Sequence, residues 1–276
     1  LHRSFDFVDL VTIPYQFLAS LFHTTYERHL FDNVKTYVLF IGYPRSGHSL
    51  VGFLLDAHPN MIVASQISAL RYFRHGFSTR QTFFVLLENS RKVATIGREW
   101  RPHSYDVPNQ WQGRFEKLQV IGDSTGLTRV RRNPGLLKSV QEKLKGVELK
   151  LIHVIRNPYD NISTMKRISR QSLLNTIERY FSMCEIVEQL KRQVAPGAVY
   201  DLKHETLITH PKSTLKELCG FVGLSASENY CDDCASIIFK SPHKTRAGVD
   251  WNQELIDAVR QQMGKFSFLG GYSYDD

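Results

Sequence analysis

Cysteine is scarce in this chain, with four in 276 residues: Cys184, Cys219, Cys231 and Cys234. That is too few for a disulfide-built scaffold. Cys231 and Cys234 have the CxxC spacing, but no second pair at ribbon spacing accompanies them, which argues against a structural zinc site. Long hydrophobic runs are missing as well. The longest apolar stretch near the start, residues 11–22, is broken by Pro14 and Gln16, short of the roughly 18 apolar residues of a membrane span. No basic segment followed by a cleavage motif is present, so no signal peptide is expected. There is no internal repeat, no low-complexity tract and no long linker. Acidic residues are outnumbered, 27 Asp and Glu against 35 Lys and Arg, for a net charge of +8. That balance favours anionic partners. The charge is spread out and no base-reading motif accompanies it, so nucleic acid is not expected among them.

What the chain does have is a core. Hydrophobic residues make up 42% of it, enough to exclude wholesale disorder. The order of segments points to a parallel α/β sheet in one domain. Residues 5–31 read as helical. Tyr37-Val-Leu-Phe-Ile41 is a continuous apolar run, as in a strand buried on both faces. A turn follows, and then Leu50, Val51, Phe53, Leu54 and Leu55 at helical spacing. Further strands are expected at 118–121, 149–155 and 199–202, and helices at 136–144, 159–168, 172–193 and 212–222. The stretch 71–117 is aromatic and Arg-rich with weak periodicity, and reads as an insertion or lid over the site. Residues 1–35 read as a helical extension of a single domain spanning 1–276.

The turn after the first strand carries chemistry. Gly42-x4-Gly47-His48-Ser49 has the spacing of the phosphate loop GxxxxGK[ST], with His in place of Lys, between a strand and a helix. Backbone N–H groups converge at such a helix N-terminus, and the helix dipole adds positive potential. An anion there would meet those amides, the Ser46 and Ser49 hydroxyls and Arg45. A metal-dependent kinase would want Lys at 48 and an Asp for Mg²⁺. Arg45 instead supplies a permanent charge suited to a donor handled without metal.

Tyr43-Pro-Arg-Ser-Gly-His-Ser-Leu50 resembles the 5'-phosphosulfate loop of sulfotransferases that use 3'-phosphoadenosine 5'-phosphosulfate (PAPS). Leu54-Leu-Asp-Ala-His-Pro59 is similar to the following helix in tyrosylprotein sulfotransferases and their bacterial relatives. Leu151-Ile-His-Val-Ile-Arg156-Asn-Pro-Tyr-Asp160 resembles the family's 3'-phosphate motif, whose hydroxyl partner eight positions after the Arg would be Thr164. His204-Glu-Thr-Leu-Ile-Thr-His-Pro211 is a weaker match, with His204 where Tyr is usual. Lys244-Thr-Arg246 resembles loosely the late basic loop over the nucleotide. The resemblance spans residues 37 to about 252.

The resemblance implies a phosphate-loop-like α/β domain around a five-stranded parallel sheet flanked by helices. It implies transfer of SO₃ from PAPS to a hydroxyl or amine in one in-line step, releasing adenosine 3',5'-bisphosphate (PAP), with no metal. By position, Arg45 stabilises the leaving phosphate, and Ser46, Gly47, His48 and Ser49 hold the 5'-phosphosulfate. Arg156 and Thr164, helped by Arg246, hold the 3'-phosphate. The catalytic base is not supplied by the pattern: Gln66 stands nearest the Glu of tyrosylprotein sulfotransferases, and Ser124 nearest the strand-end His or Lys of other members. His48, Asp123 and His75 are the substitutes, His48 because imidazole suits proton transfer near neutral pH and Asp123 because it closes a strand. Two alternatives stand beside the enzyme: a catalytically impaired nucleotide-binding relative, and a phosphate-loop kinase. Trp100, Tyr105 and Trp111 are candidates to line an acceptor pocket, and Arg129-Val-Arg-Arg132 to rim it. His153, inside a buried strand, reads as a core residue. Asn161-Ile-Ser163 is a glycosylation sequon expected to be buried. A cytoplasmic location is expected, or a Golgi lumen if an anchor precedes residue 1.

Overall fold

Buried β-branched and aromatic runs set the centre of this molecule, and helices cover both of its faces. The structure, a computed structural model, describes residues 4–97, 99–100, 103–125 and 135–276. In chain order it runs α1 (Ser4–Tyr26), β1 (Thr36–Gly42), α2 (His48–Asp56), β2 (Met61–Ala64), α3 (Leu70–Arg74) and α4 (Thr79–Ile96). A two-residue pair, β3 (Glu99–Trp100) and β4 (His103–Ser104), precedes β5 (Val120–Asp123), α5 (Leu136–Lys143), β6 (Glu148–Ile155) and α6 (Pro158–Ile168). Then come α7 (Leu173–Lys191), β7 (Val199–Lys203), α8 (His204–Thr209), α9 (Pro211–Phe221) and α10 (Glu228–Ser236). A 3₁₀ turn (Thr245–Gly248) and α11 (Gln253–Met263) follow.

The main sheet has the order β2-β5-β1-β6-β7, and every pairing in it is parallel. This is the five-stranded parallel sheet flanked by helices that the resemblance implies. Alternation along β1 divides the core. Tyr37, Leu39 and Ile41 face α4, α5, α6 and α7. Val38 and Phe40 face α2, α9 and α10. That two-sided burial is why the strand reads as an unbroken apolar run.

The described part of residues 71–117 includes regular structure. There α4 starts with a Ser78–Gln81 capping box and packs against β2, β5 and α1. Its Phe83, Phe84, Val85, Leu86 and Leu87 are all buried, so its buried surface is too wide to show one clean stripe. The later part of the segment ties to the end of α2, through Trp111 N–H to the Ala57 carbonyl and Gly113 N–H to Asp56. β2 is a four-residue strand that no pattern announced, and β5 begins two residues later than expected.

Among the described residues, no helix is long and apolar enough to cross a membrane, and no cluster of three His, Cys, Asp or Glu is placed to hold a metal. All four cysteines are buried and free.

Candidate functional site

The chain winds from β1 outward to β2, returns to β5, and then crosses to β6 on the other side of β1. Parallel α/β sheets bind ligands at such a switch point, beyond the carboxyl ends of the strands. The loop 43–47 leaves β1 there, and Arg156-Asn157 leaves β6 beside it. Gly42 takes φ +133 and Gly47 φ +100. Arg45 itself sits at φ 71, a sparsely populated conformation for a side-chain-bearing residue and one that clusters at functional sites. Gly47 is the N-cap of α2 and no side chain caps it, so the first-turn amides, which lack intrahelical partners, face the loop without a capping side chain. Ser46 is buried, and its hydroxyl lies 3.5 Å from His48 Nδ1. Arg45 is exposed at the loop's crest.

Arg156 reaches across to this loop. Its Nη1 donates to the Arg45 carbonyl at 3.4 Å and to Thr164 Oγ1 at 3.2 Å. Its Nη2 donates to the His243 carbonyl at 2.8 Å and to Thr245 Oγ1 at 3.3 Å. Thr164 and Thr245 hydroxyls are 2.9 Å apart. The guanidinium, 8% exposed, is thus held by carbonyls and hydroxyls. Burial, first, and Arg246 lower its pKa, while Asp160 and Glu205 oppose them. Thr245 was not singled out in the sequence. Its signal is its place beside Arg246 in the late basic loop.

Arg246 is brought close but faces elsewhere. Its Nε and Nη2 donate to Asp160 at 3.0 and 2.6 Å, and its Nη1 donates to the Ser273 and Tyr274 carbonyls at 2.9 and 2.6 Å. These contacts fasten the 3₁₀ turn to α6 through Asp160 and to the last residues of the chain through Ser273 and Tyr274. Asn161, on α6, is fully buried and donates to the Pro44 carbonyl at 2.8 Å, and its Oδ1 has no partner. His204 packs under Gly47 so closely that a Cβ there would lie 2.3 Å from its Cδ2. Its Nδ1 is buried and unpaired. Burial, then Arg156 and His243, hold its pKa down to about 3. Buried polar atoms are ordinarily paired, and these two unpaired atoms both lie close to the loop.

His48 starts α2 at the loop. Burial chiefly, with a contribution from Arg45, lowers its pKa to about 4 against an opposing Tyr43 backbone contact, so it is neutral at physiological pH. Gln66 sits across from it at φ 53 and donates Nε2 to Ser49 Oγ at 2.9 Å. Asp123 closes β5, fully buried. Its Oδ2 accepts from Ala69 N at 2.6 Å, and its Oδ1 accepts from Thr125 N and Oγ1 at 3.0 and 2.8 Å. Burial raises its pKa against those bonds. Ser124 donates to the Ala64 carbonyl. His75 is exposed at the end of α3. Tyr105 stacks on Phe53 of α2 at 5.5 Å and feels the charge of Arg45. Arg129 to Arg132 lie outside the described residues, as does the Trp100 side chain.

Residues 148–228, from β6 into α10, match the family profile described as "Sulfotransferase family". The matched segment is less than half of the chain, and it holds Arg156, Thr164 and His204. Among solved structures, the sulfotransferase domain of the Synechococcus PCC 7002 olefin synthase is similar over 83% of this chain and 94% of its own, at 16% identity and TM-score 0.54. The sulfotransferase domain of the curacin biosynthetic pathway covers 85% of this chain and 98% of its own, at 11% identity and TM-score 0.50. Mouse sulfotransferase SULT7A1, solved in complex with PAP, covers 86% and 87%, at 14% identity and TM-score 0.50. At these identities the likeness speaks for the fold. No curated protein sequence matches the chain.

Proposed function

We propose that this chain is a sulfotransferase that moves a sulfonate group from PAPS to a hydroxyl acceptor. The observation that carries the reading is the convergence of two anion-binding elements. The loop 43–49 opens onto uncapped amides at the start of α2, and the Arg156–Thr164–Thr245 cluster touches the same loop through the Arg45 carbonyl. A donor with a phosphosulfate at one end and a 3'-phosphate at the other uses both. The unpaired Asn161 Oδ1 and His204 Nδ1 fit a polar ligand that completes the floor.

In this reading the amides of Gly47, His48 and Ser49 and the Ser46 and Ser49 hydroxyls cradle the 5' end. Arg45 takes up charge on the bridging oxygen as it becomes phosphate. Arg156 grips the 3'-phosphate as a forked donor, with Thr164 and Thr245 adding hydroxyls. Arg246 acts at one remove, because its ion pair with Asp160 holds the Thr245 turn in place. The acceptor oxygen attacks sulfur, the sulfur–oxygen bond to the phosphate breaks with its electron pair, and PAP leaves. Positioning and preorganised positive charge lower the barrier.

The proton goes to His48. It is the best placed of the three candidates because it is neutral at the loop itself, whereas both Asp123 oxygens already serve the 67–69 and 125 backbone and His75 is exposed at the end of α3. Tyr105 on Phe53 gives the acceptor an aromatic wall beside Arg45. A second reading, nucleotide binding without transfer, is favoured by Gln66, an amide that bonds Ser49 and takes no proton. Incubation with PAPS labelled in its sulfonate, across phenol and sugar-alcohol acceptors, separates the two. Label on an acceptor, lost in Arg45→Ala, supports transfer; PAP binding with no acceptor labelled supports the second reading.

A further inference from the structure

Beneath the loop runs a buried polar chain that the proposed transfer does not use. The Tyr43 hydroxyl lies 3.2 Å from His153 Nε2. His153 Nδ1 lies 2.8 Å from Asp201 Oδ1, and Lys191 Nζ lies 2.6 and 2.8 Å from the two Asp201 oxygens. The chain follows the strands: His153 on β6 is in register with Ile41 of β1 and with Asp201 of β7. Its inner end is dry, with Tyr43 1% and His153 0% exposed, while Asp201 opens to solvent at the sheet edge.

The chemistry gives each hydrogen bond a direction. Asp201, its pKa lowered most by His153 and Lys191 against its own burial, is ionised and accepts, so the imidazole proton sits on Nδ1. Nε2 then carries a lone pair, and the Tyr43 hydroxyl donates to it. Burial, chiefly, keeps the ring neutral, with a pKa of about 4. The ring is also wedged: a Cβ on Gly42 would lie 3.3 Å from His153 Cδ2. Tyr180 and Phe268 pack around Tyr43 and His153, at 4.6 and 4.8 Å between ring centroids.

We infer that His153, oriented by Asp201, is a positioning residue: it fixes Tyr43 and so holds the phosphate loop in its donor-binding shape. Tyr43 is the first side chain of that loop, two residues before Arg45 at its strained φ. Packing alone would place the ring but leave its rotation and the loop's height free. The hydrogen bond to a ring clamped between two strands removes that freedom. The inference rests on the donor reading above.

The test uses PAP binding by calorimetry and melting temperature, on the full chain. His153→Gln places an amide where Nε2 stood and keeps the Tyr43 contact. His153→Asn places one where Nδ1 stood, keeps Asp201 and loses Tyr43. The expected result is that His153→Asn and Tyr43→Phe each weaken PAP binding by about tenfold, as losing one buried hydrogen bond allows, while His153→Gln stays within roughly threefold of wild type. The double variant Tyr43→Phe/His153→Asn binds no worse than either single one, because both remove one interaction. Melting temperature falls in every His153 variant and does not follow this pattern. Should His153→Asn fail to fold, Tyr43→Phe, which deletes a single oxygen, carries the same expectation. Wild-type PAP affinity in Tyr43→Phe, or equal losses in His153→Gln and His153→Asn, overturns the inference with the donor reading intact. No PAP binding by the wild type overturns the donor reading and this inference with it.

Discussion

Arg156 and His48 separate binding from chemistry. Arg156 is buried among carbonyls and hydroxyls that anchor its position without neutralising its charge, so a phosphate would gain most of its attraction. Arg156→Ala is expected to weaken PAP by about 10- to 100-fold, the range of hydrogen bonds to charged groups, read by calorimetry. His48→Asn keeps a polar group at the start of α2 but no base. The expected outcome is a fall in turnover of about 10²- to 10⁴-fold with PAP affinity nearly unchanged. Since His48 is neutral above a pKa of about 4, a base role keeps wild-type turnover from its acid loss until pH falls toward that value. Gly47 is the third informative residue. At φ +100, with a Cβ 2.3 Å from His204 Cδ2, Gly47→Ala meets both backbone strain and a clash, and is expected to cost about 1–3 kcal/mol in denaturant unfolding. His204→Ala in that background relieves the clash and leaves the strain, so recovery is partial.

At the scale of elements, legibility tracked burial pattern. β1 is buried on both faces and β6 along most of its length, and the apolar run of β1 and the Leu, Ile and Val of β6 give them away within a residue or so. β2, four residues long, carries too little pattern to stand out, and α4 hides its helix because one wide face is buried against α1, β2 and β5. The same burial makes a pH prediction. His48 and His153 are folded with pKa values of about 4, and His204 of about 3, against an unfolded value near 6.5. Between those values the unfolded chain binds protons that the folded one refuses. Stability is therefore constant on their account above about pH 6.5 and falls as pH drops from there toward 4. Urea midpoints at pH 7.5, 6 and 5 check the sign. A midpoint that rises on acidification contradicts it. His153→Phe, which has no ionisable ring, should flatten the slope by one histidine's share.

For the whole molecule, the site was more legible than its surroundings. The loop 42–49 and the Arg156 motif are short, local and tied to strand ends, so the sequence placed them in one region of the fold. Thr245, Asn161 and the His204 wedge come from three distant segments, and only the fold brings them under the loop. Arg246 shows the converse: it sits where a basic loop residue was expected, but its charge is spent on Asp160, a partner that no spacing reveals. The Tyr43–His153–Asp201 chain escaped for a similar reason. A His inside a buried strand reads as core until its two neighbouring strands are known. The central claim is that these segments together form a PAP and PAPS site, and thermal unfolding tests it most directly. With PAP at 100 times its dissociation constant, the wild type should gain about 2.7 kcal/mol, and Arg156→Ala far less at the same concentration. ATP with Mg²⁺ should give less than PAP. Stabilisation by ATP with Mg²⁺ alone, or by neither nucleotide, would contradict the account.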